Sequence, residues 1–256
     1  MAIYTGKTAV VIGGTQGIGL STAQLLVDQG AKVVVTGRSP SSIESTEKQL
    51  GSAALVVKSD ITSTTNEAFL DLESGISSHL GAGIDLLFVN AGYALLQPFL
   101  DVTEESFDTA FNTNVRGAFF TAKRLVPLVR PGGAIVFTTS VSNQSGFPGM
   151  AVYSATKAAV KSLVQTLAAE LAGKQVRVNA VSPGFVKTPT MGVAGVSADE
   201  VAAFEKIGID STPMGRVALP EEVAKAVVFM GIEATFSTGT ELLVDGGLSQ
   251  LQKGDH

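Results

Sequence analysis

Seven short apolar runs recur along the chain, at residues 8–12, 32–36, 54–58, 85–89, 134–139, 176–181 and 241–245. They are rich in β-branched residues and lack polar alternation, which predicts strands of a parallel sheet covered on both faces. The stretches between them are long enough for crossover helices. In the first, Ile18, Thr22, Leu25, Leu26 and Gln29 form a largely apolar stripe at helical spacing. Strand and helix in alternation predict a doubly wound α/β sheet of seven parallel strands with helices on both faces. No Pro/Ser-rich linker, internal repeat or break in composition divides the chain, so one domain is expected over residues 1–256. A long helix is expected over about residues 150–172, where Ala155, Ala158, Ala159, Ala168 and Ala169 recur. Alternation lapses over residues 185–215, where Gly192, Gly195, Gly208 and Gly215 interrupt scattered apolar residues; an irregular flap is expected there.

Composition narrows the chemistry. Of 256 residues, 45% are hydrophobic and only 16% charged, enough to bury a large core. The net charge of −5 offers no basic surface for nucleic acid or anionic lipid. Mean hydropathy of +0.32 points to buried surface beyond one monomer's core, hence to an oligomer. Cysteine is absent, which removes disulfides, thiolate nucleophiles and thiolate-bound metals. The two histidines, His79 and His256, are too few for a metal cluster or a Ser-His-Asp triad, so no metal site is expected. The amino-terminal residues show no basic stretch followed by an apolar one, and no apolar run approaches the ~18 residues of a membrane span. A soluble, cytoplasmic protein is expected.

The turn after the first strand reads VVIGGTQGIG, with Gly13, Gly17 and Gly19 ahead of the first helix. Glycines there let the backbone turn tightly and approach a pyrophosphate at a helix N-terminus. A dinucleotide is therefore expected against Gly13, Thr15, Gln16, Gly17, Ile18 and Gly19. An NAD site would place an acid at the end of the second strand for the ribose hydroxyls. This chain has Gly37, then Arg38 and Ser39. A guanidinium suits a 2′-phosphate through forked, charge-assisted hydrogen bonds, so NADP(H) is expected over NAD(H).

Tyr153 and Lys157 lie four positions apart on the alanine-rich helix and share one face. A phenol titrates near ~10 and is a poor base at neutral pH. A neighbouring ammonium favours phenolate, so the pair is expected to trade a proton near working pH. The fifth strand is expected to end at Ser140, where ligands gather in such sheets and a hydroxyl can donate to a carbonyl oxygen.

Taken together and in order, Gly13-x-x-x-Gly17-Ile18-Gly19, Asn90-Ala91-Gly92, Ser140 and Tyr153-x-x-x-Lys157 resemble the short-chain dehydrogenase/reductase family. NTNVRGAFF around Asn114, SPGFVKT from Ser182 and VDGG at 244–247 extend the resemblance over nearly the whole chain. The resemblance implies a Rossmann fold and hydride transfer between a nicotinamide and a carbinol carbon, without a metal. It implies Tyr153 as general acid/base, Lys157 as the cation that lowers its pKa and binds the nicotinamide ribose, and Ser140 as holder of the substrate oxygen. Asn114 would keep a water in a proton relay to Lys157. Asp60 and Ile61 would border the adenine, and Asn90, Ala91 and Gly92 would line the cofactor. Pro183, Gly184, Val186 and Thr188 would contact the nicotinamide and phosphates. The chain departs from the family pattern at Ile12, where threonine is usual, at Val89 before Asn90, where a second asparagine is usual, and at Gln16, where many NADP-dependent members carry a basic residue.

Tyr93, Gln144, Phe147 and Phe185, with Leu95 and the flap's Val193, Val196, Phe204, Ile207 and Met214, are expected to form an apolar pocket for a ketone's substituents. The resemblance further implies a homotetramer, or a dimer, packed through the alanine-rich helix. The leading expectation is an NADPH-linked carbonyl reductase or secondary alcohol dehydrogenase. The alternative is a 3-oxoacyl-(acyl-carrier-protein) reductase, which would need basic residues such as Lys123, Arg124, Arg130 and Lys174 at the site mouth. A non-catalytic NADP(H)-binding sensor is a further alternative.

Overall fold

In a computed structural model, residues 2–81 and 83–252 are described; His256 lies outside them. Seven strands form one parallel sheet in the order β3-β2-β1-β4-β5-β6-β7. They are β1 (Thr8–Ile12), β2 (Lys32–Gly37), β3 (Ala54–Lys58), β4 (Ile84–Val89), β5 (Val129–Thr138), β6 (Arg177–Pro183) and β7 (Glu241–Val244). The central pair β1 and β4 is buried along its full length, as unbroken apolar runs require.

Helices cover both faces: α1 (Gly17–Asp28), α2 (Pro40–Leu50), α3 (Asn66–Leu80), α4 (Glu104–Phe111), α5 (Ala118–Leu125), α6 (Ala151–Leu171), α7 (Ala198–Ser211) and α8 (Pro220–Val228). Alternate residues of each strand feed two cores. On one face Val10, Leu87, Ile135 and Val178 pack with Leu72 of α3, Leu125 of α5 and Val164 of α6. On the other, Val11, Val33, Phe88 and Val136 pack with Leu26 of α1 and Val223 and Val227 of α8. No helix among the described residues is long and apolar enough to cross a membrane.

The order reverses at β1, which has β2 on one side and β4 on the other, and a crevice opens at their carboxyl ends. Between α4 and α5 the chain forms a π turn, Asn112–Gly117. There Gly117 lies so close to β3's exit that a Cβ on it would stand 2.6 Å from the Ile61 carbonyl oxygen. The turn therefore needs glycine, and it holds Asn114 inward at 2% exposure.

Two expectations change. The flap contains a fourteen-residue helix, α7 (Ala198–Ser211). Its signal is a capping box: Ser197 Oγ accepts from Glu200 N while the Glu200 carboxylate accepts from Ser197 N at 2.7 Å. β5 stops at Thr138, short of Ser140, which begins a 3₁₀ turn, Val141–Asn143.

Candidate active site

The crevice is a cleft of about 660 Å3, within the size range of cofactor sites. Its floor is the glycine turn. Gly13 has φ +75°, and a Cβ there would lie 2.7 Å from Ala91 Cα. Gly17 has φ +52° and faces Thr188 Cγ2, which a Cβ would meet at 3.0 Å. Asn90 ties the turn down, donating from Nδ2 to the Gly13 carbonyl at 2.9 Å and accepting from Thr138 Oγ1 at 2.9 Å. Thr36 Oγ1 accepts from Gly13 N at 3.0 Å. This bare-backbone cradle at the start of α1 fits a pyrophosphate. Thr188 adds a hydroxyl oxygen that is buried without a hydrogen-bond partner, as a site awaiting a polar ligand would.

Most residues expected at the cofactor line this cleft: Gly13, Thr15, Gln16, Gly17 and Ile18 from the turn, Arg38 and Ile61 from the ends of β2 and β3, Asn90, Ala91 and Gly92 after β4, and Tyr153, Lys157 and Thr188. Others do not. Gly19 is packed under the turn against the Gly13 carbonyl. Ser39 begins α2 with its hydroxyl 2.9 Å from that of Ser41. The Asp60 carboxylate turns back to Thr62 N and Oγ1 at 2.9 and 2.8 Å. Pro183 ends β6, Val186 is buried in a bridge to Ala218, and Gly184 faces a neighbouring cavity. In their place the cleft is lined by Thr36, Ser59, Thr62, Thr138, Pro189 and Thr190. Thr36, Ser59 and Thr138 stand at or just beyond strand carboxyl ends, a signal that could have named them.

The first turns of α6 bring Tyr153 and Lys157 to the cleft. Lys157 Nζ lies 5.6 Å from the centre of the Tyr153 ring and donates to the Thr138 carbonyl at 2.8 Å. The side chains of Tyr153 and Ser140 line one cavity, and the serine hydroxyl favours the phenolate form of Tyr153. Behind them Asn114 is locked: Oδ1 accepts from Tyr93 N at 2.7 Å, and Nδ2 donates to the Tyr93 carbonyl at 2.8 Å and to Thr156 Oγ1 at 3.0 Å. A Cβ on Gly92 would stand 3.5 Å from Lys157 Nζ and 3.6 Å from Asn114 Oδ1, so the missing side chain leaves open a polar gap between the two.

Electrostatics reverse one expectation. Burial pushes the Tyr153 phenol up to about 12, and the neighbouring Ser140 hydroxyl offsets only part of this. Burial also pulls the Lys157 ammonium down to about 8. Desolvation of each charged form outweighs the attraction expected between ammonium and phenolate. At neutral pH the pair is a neutral phenol beside a buried cation, and the phenol is set to give a proton rather than take one.

An apolar cavity of about 90 Å3 adjoins the cleft at Tyr153, Ala94 and Gly192. Ser140 and Tyr153 reach it from one side, and Phe147, Phe185, Val193 and Phe204 wall it. Phe185 and Phe204 meet edge to face at 5.1 Å. Tyr93 lines the larger cleft instead. Gln144 is exposed and accepts from Lys161 Nζ at 3.5 Å. Leu95 and Met214 line separate cavities, and Ile207 is 53% exposed. Two cavities thus share one wall, on which the Tyr153 phenol stands, and the Ser140 hydroxyl faces the phenol's side of the smaller one.

Known proteins share this arrangement of chain. A family model described as enoyl-(acyl carrier protein) reductase matches residues 12–249. A hydroxynaphthalene reductase-like protein of Metarhizium robertsii is 34% identical over 263 residues, spanning 95% of this chain and 95% of that protein. A 3-oxoacyl-(acyl-carrier-protein) reductase of Thermotoga maritima is 33% identical over 247 residues, spanning 95% of this chain and 98% of that protein. A solved structure of a short chain dehydrogenase/reductase family protein superposes with a TM-score of 0.83 at 38% identity, covering 97% of this chain and 100% of that one.

Proposed function

From the premise that the chain belongs to the short-chain dehydrogenase/reductase family, and so is a nicotinamide-dependent oxidoreductase, we propose that it is an NADPH-linked ketone reductase. The observation that carries this reading is the Tyr153 phenol on the wall between a dinucleotide-sized cleft and a small apolar cavity that Ser140 also lines. NADPH, when bound, supplies the hydride. Ser140 and Tyr153 receive the substrate's carbonyl oxygen between their hydroxyls. The Tyr153 phenol is protonated at neutral pH and donates its proton to the oxygen as negative charge gathers there, which is favourable because an alkoxide is a far stronger base than a phenolate. Lys157, anchored on the Thr138 carbonyl, carries positive charge toward the ribose side and stabilises the phenolate that remains. The gap between Lys157 and Asn114 at Gly92 is the path by which a water returns the proton. Phe147, Phe185 and Phe204 exclude solvent and take the ketone's apolar substituents.

NADP(H) is favoured over NAD(H) because Arg38 lies on the cleft rim and no acid stands at position 37. A homotetramer is favoured by two exposed apolar faces: Phe107 and Phe119 on α4 and α5, and Phe229 and Phe236 near α8 and β7.

The Thermotoga maritima relative supports a second reading, reduction of a 3-oxoacyl thioester on a carrier protein. The basic residues expected to dock such a carrier speak against it. Arg124 is paired bidentately with Glu73. Arg130 is engaged with Asp85 and the Gly83 carbonyl, beside the entry to β1 and away from the cleft. None of Lys123, Arg124, Arg130 or Lys174 lines either cavity. An NADPH-oxidation screen over alkyl ketones, aryl ketones and acetoacetyl thioesters decides between them. Turnover of simple ketones in preference to the thioesters is expected, and the reverse preference rejects the ketone reading. NADPH binding without turnover of any carbonyl would point instead to a sensor.

A further inference from the structure

We infer that Glu241 is a positioning residue for Ser140, acting through Asn143 and Lys161. The inference rests on the reading of Ser140 as the group that receives the substrate oxygen. Glu241 opens β7 in register with Ala180 of β6, which is in turn in register with Phe137 of β5. An acid in such a place is unexpected: Ala180 beside it and Phe137 one strand further are fully buried and apolar, and the Glu241 side chain is itself only 9% exposed. A carboxylate held this far from water is destabilising unless it is paired and hydrogen-bonded.

Its two oxygens are divided between two elements of the site. Oε1 accepts from Asn143 Nδ2 at 2.6 Å, and Oε2 pairs with Lys161 Nζ at 2.7 Å. Lys161 is one helical turn beyond Lys157 on α6, the helix that carries Tyr153. Asn143 closes the 3₁₀ turn that presents Ser140: its backbone N–H donates to the Ser140 carbonyl at 3.0 Å. In the same turn Ser142 N donates to Ser140 Oγ at 3.3 Å. One carboxylate therefore joins the strand edge, the turn bearing the serine and the helix bearing the tyrosine.

Among the described residues the tether has no substitute. Asn143 Oδ1 is buried without a hydrogen-bond partner, so the bond to Glu241 alone fixes the amide. Without it, the buried amide has reason to swing toward solvent and take the turn with it. Ser140 has to stay on a point that Tyr153 also reaches, and misplacement by about 1 Å costs on the order of 100-fold in rate.

The test is a double-mutant cycle on purified full-length enzyme, with steady-state reduction of its best ketone and NADPH titration by fluorescence. Glu241→Ala is expected to lower kcat by about 10- to 100-fold and leave NADPH affinity unchanged. Glu241→Gln keeps the acceptor for Asn143 and is expected to recover most of the loss. In a Ser140→Ala background, Glu241→Ala is expected to change kcat by less than about 2-fold, because the group it positions is gone. Asn143→Ala serves if Glu241→Ala does not fold, with the same loss and the same disappearance in the Ser140→Ala background. A kcat for Glu241→Ala near that of the wild type, or an equal loss with and without Ser140, overturns the positioning role. Failure of the underlying reading looks different: Ser140→Ala alone would then leave ketone reduction intact.

Discussion

A methyl group added at position 37 should destabilise the protein through one neighbour, Thr15. Gly37 is the buried last residue of β2, and a Cβ built on it stands 2.9 Å from Thr15 Oγ1, 3.2 Å from its Cβ and closer still to its Cγ2. Carbon atoms prefer about 3.5–4.0 Å. Neither side yields easily. The strand is held in register with Lys58 of β3, and Ser59 N donates to the Gly37 carbonyl at 2.9 Å. Thr15 is short, branched at Cβ and set in the glycine turn, whose Gly14 N–H donates to the Thr36 carbonyl at 3.0 Å. Overpacking of this kind costs about 1–3 kcal/mol. For a chain of this size that is a fall in Tm of about 2–12 °C. Thr15→Ala removes both of the nearest atoms, so Gly37→Ala should cost little when made in a Thr15→Ala protein. Thermal unfolding of the four proteins measures the coupling. A Gly37→Ala protein that melts with the wild type, or that loses as much Tm in the Thr15→Ala background as with Thr15 intact, refutes the steric reasoning. The consequence reaches the cofactor: an aspartate at position 37 will not show its preference for NADH unless Thr15 is trimmed in the same protein.

Three further outcomes are expected. Arg38→Ala should raise KM for NADPH about 10-fold, the loss of a charge-assisted hydrogen bond of about 1.5–3 kcal/mol in part screened by solvent, and leave KM for NADH unchanged; equal effects on both cofactors would remove Arg38 from the 2′-phosphate. Lys157 sits at about 8 in the folded protein against 10.5 for a free amine; between these values the unfolded chain binds more protons, so stability rises with pH across that window by up to about 3 kcal/mol. Lys157→Met should abolish the rise in denaturant titrations kept below pH 10, where Tyr153 does not yet contribute, and an unchanged slope would reject the buried-cation description. Phe147→Ala combined with Phe185→Ala should lower kcat/KM for bulky ketones by about 10- to 200-fold in total while leaving acetone-sized substrates less affected; uniform kinetics across the series would remove the apolar cavity from substrate binding.

The sheet is legible in the sequence because its strands are buried on both faces and announce themselves as unbroken runs such as TAVVI, and the long helix because alanine dominates it. The glycine turn, Ser140, Tyr153 and Lys157 are legible because each is set at a fixed distance from an element boundary. What is not legible depends on contacts remote in sequence. The α7 helix is masked by Gly208 within it and by Gly192, Gly195 and Gly215 around it, although Ser197 and Glu200 mark its start. The family resemblance places Asp60 near the adenine, but only the fold shows its carboxylate spent on Thr62. Gln144 is four residues from Ser140 yet points to Lys161, because the 3₁₀ turn rotates it out of the cavity. The pKa order of Tyr153 and Lys157 does not follow from the sequence, because spacing gives the distance between two groups and says nothing of the water removed from around them.

The most direct test of proton donation by Tyr153 is single-turnover NADPH oxidation on a ketone, with wild type and Tyr153→Phe compared at saturating cofactor. Removing one oxygen atom leaves the ring, the apolar wall and the NADPH affinity in place, and should slow the turnover by about 100- to 10,000-fold. A Tyr153→Phe enzyme that oxidises NADPH at close to the wild-type rate would contradict the account.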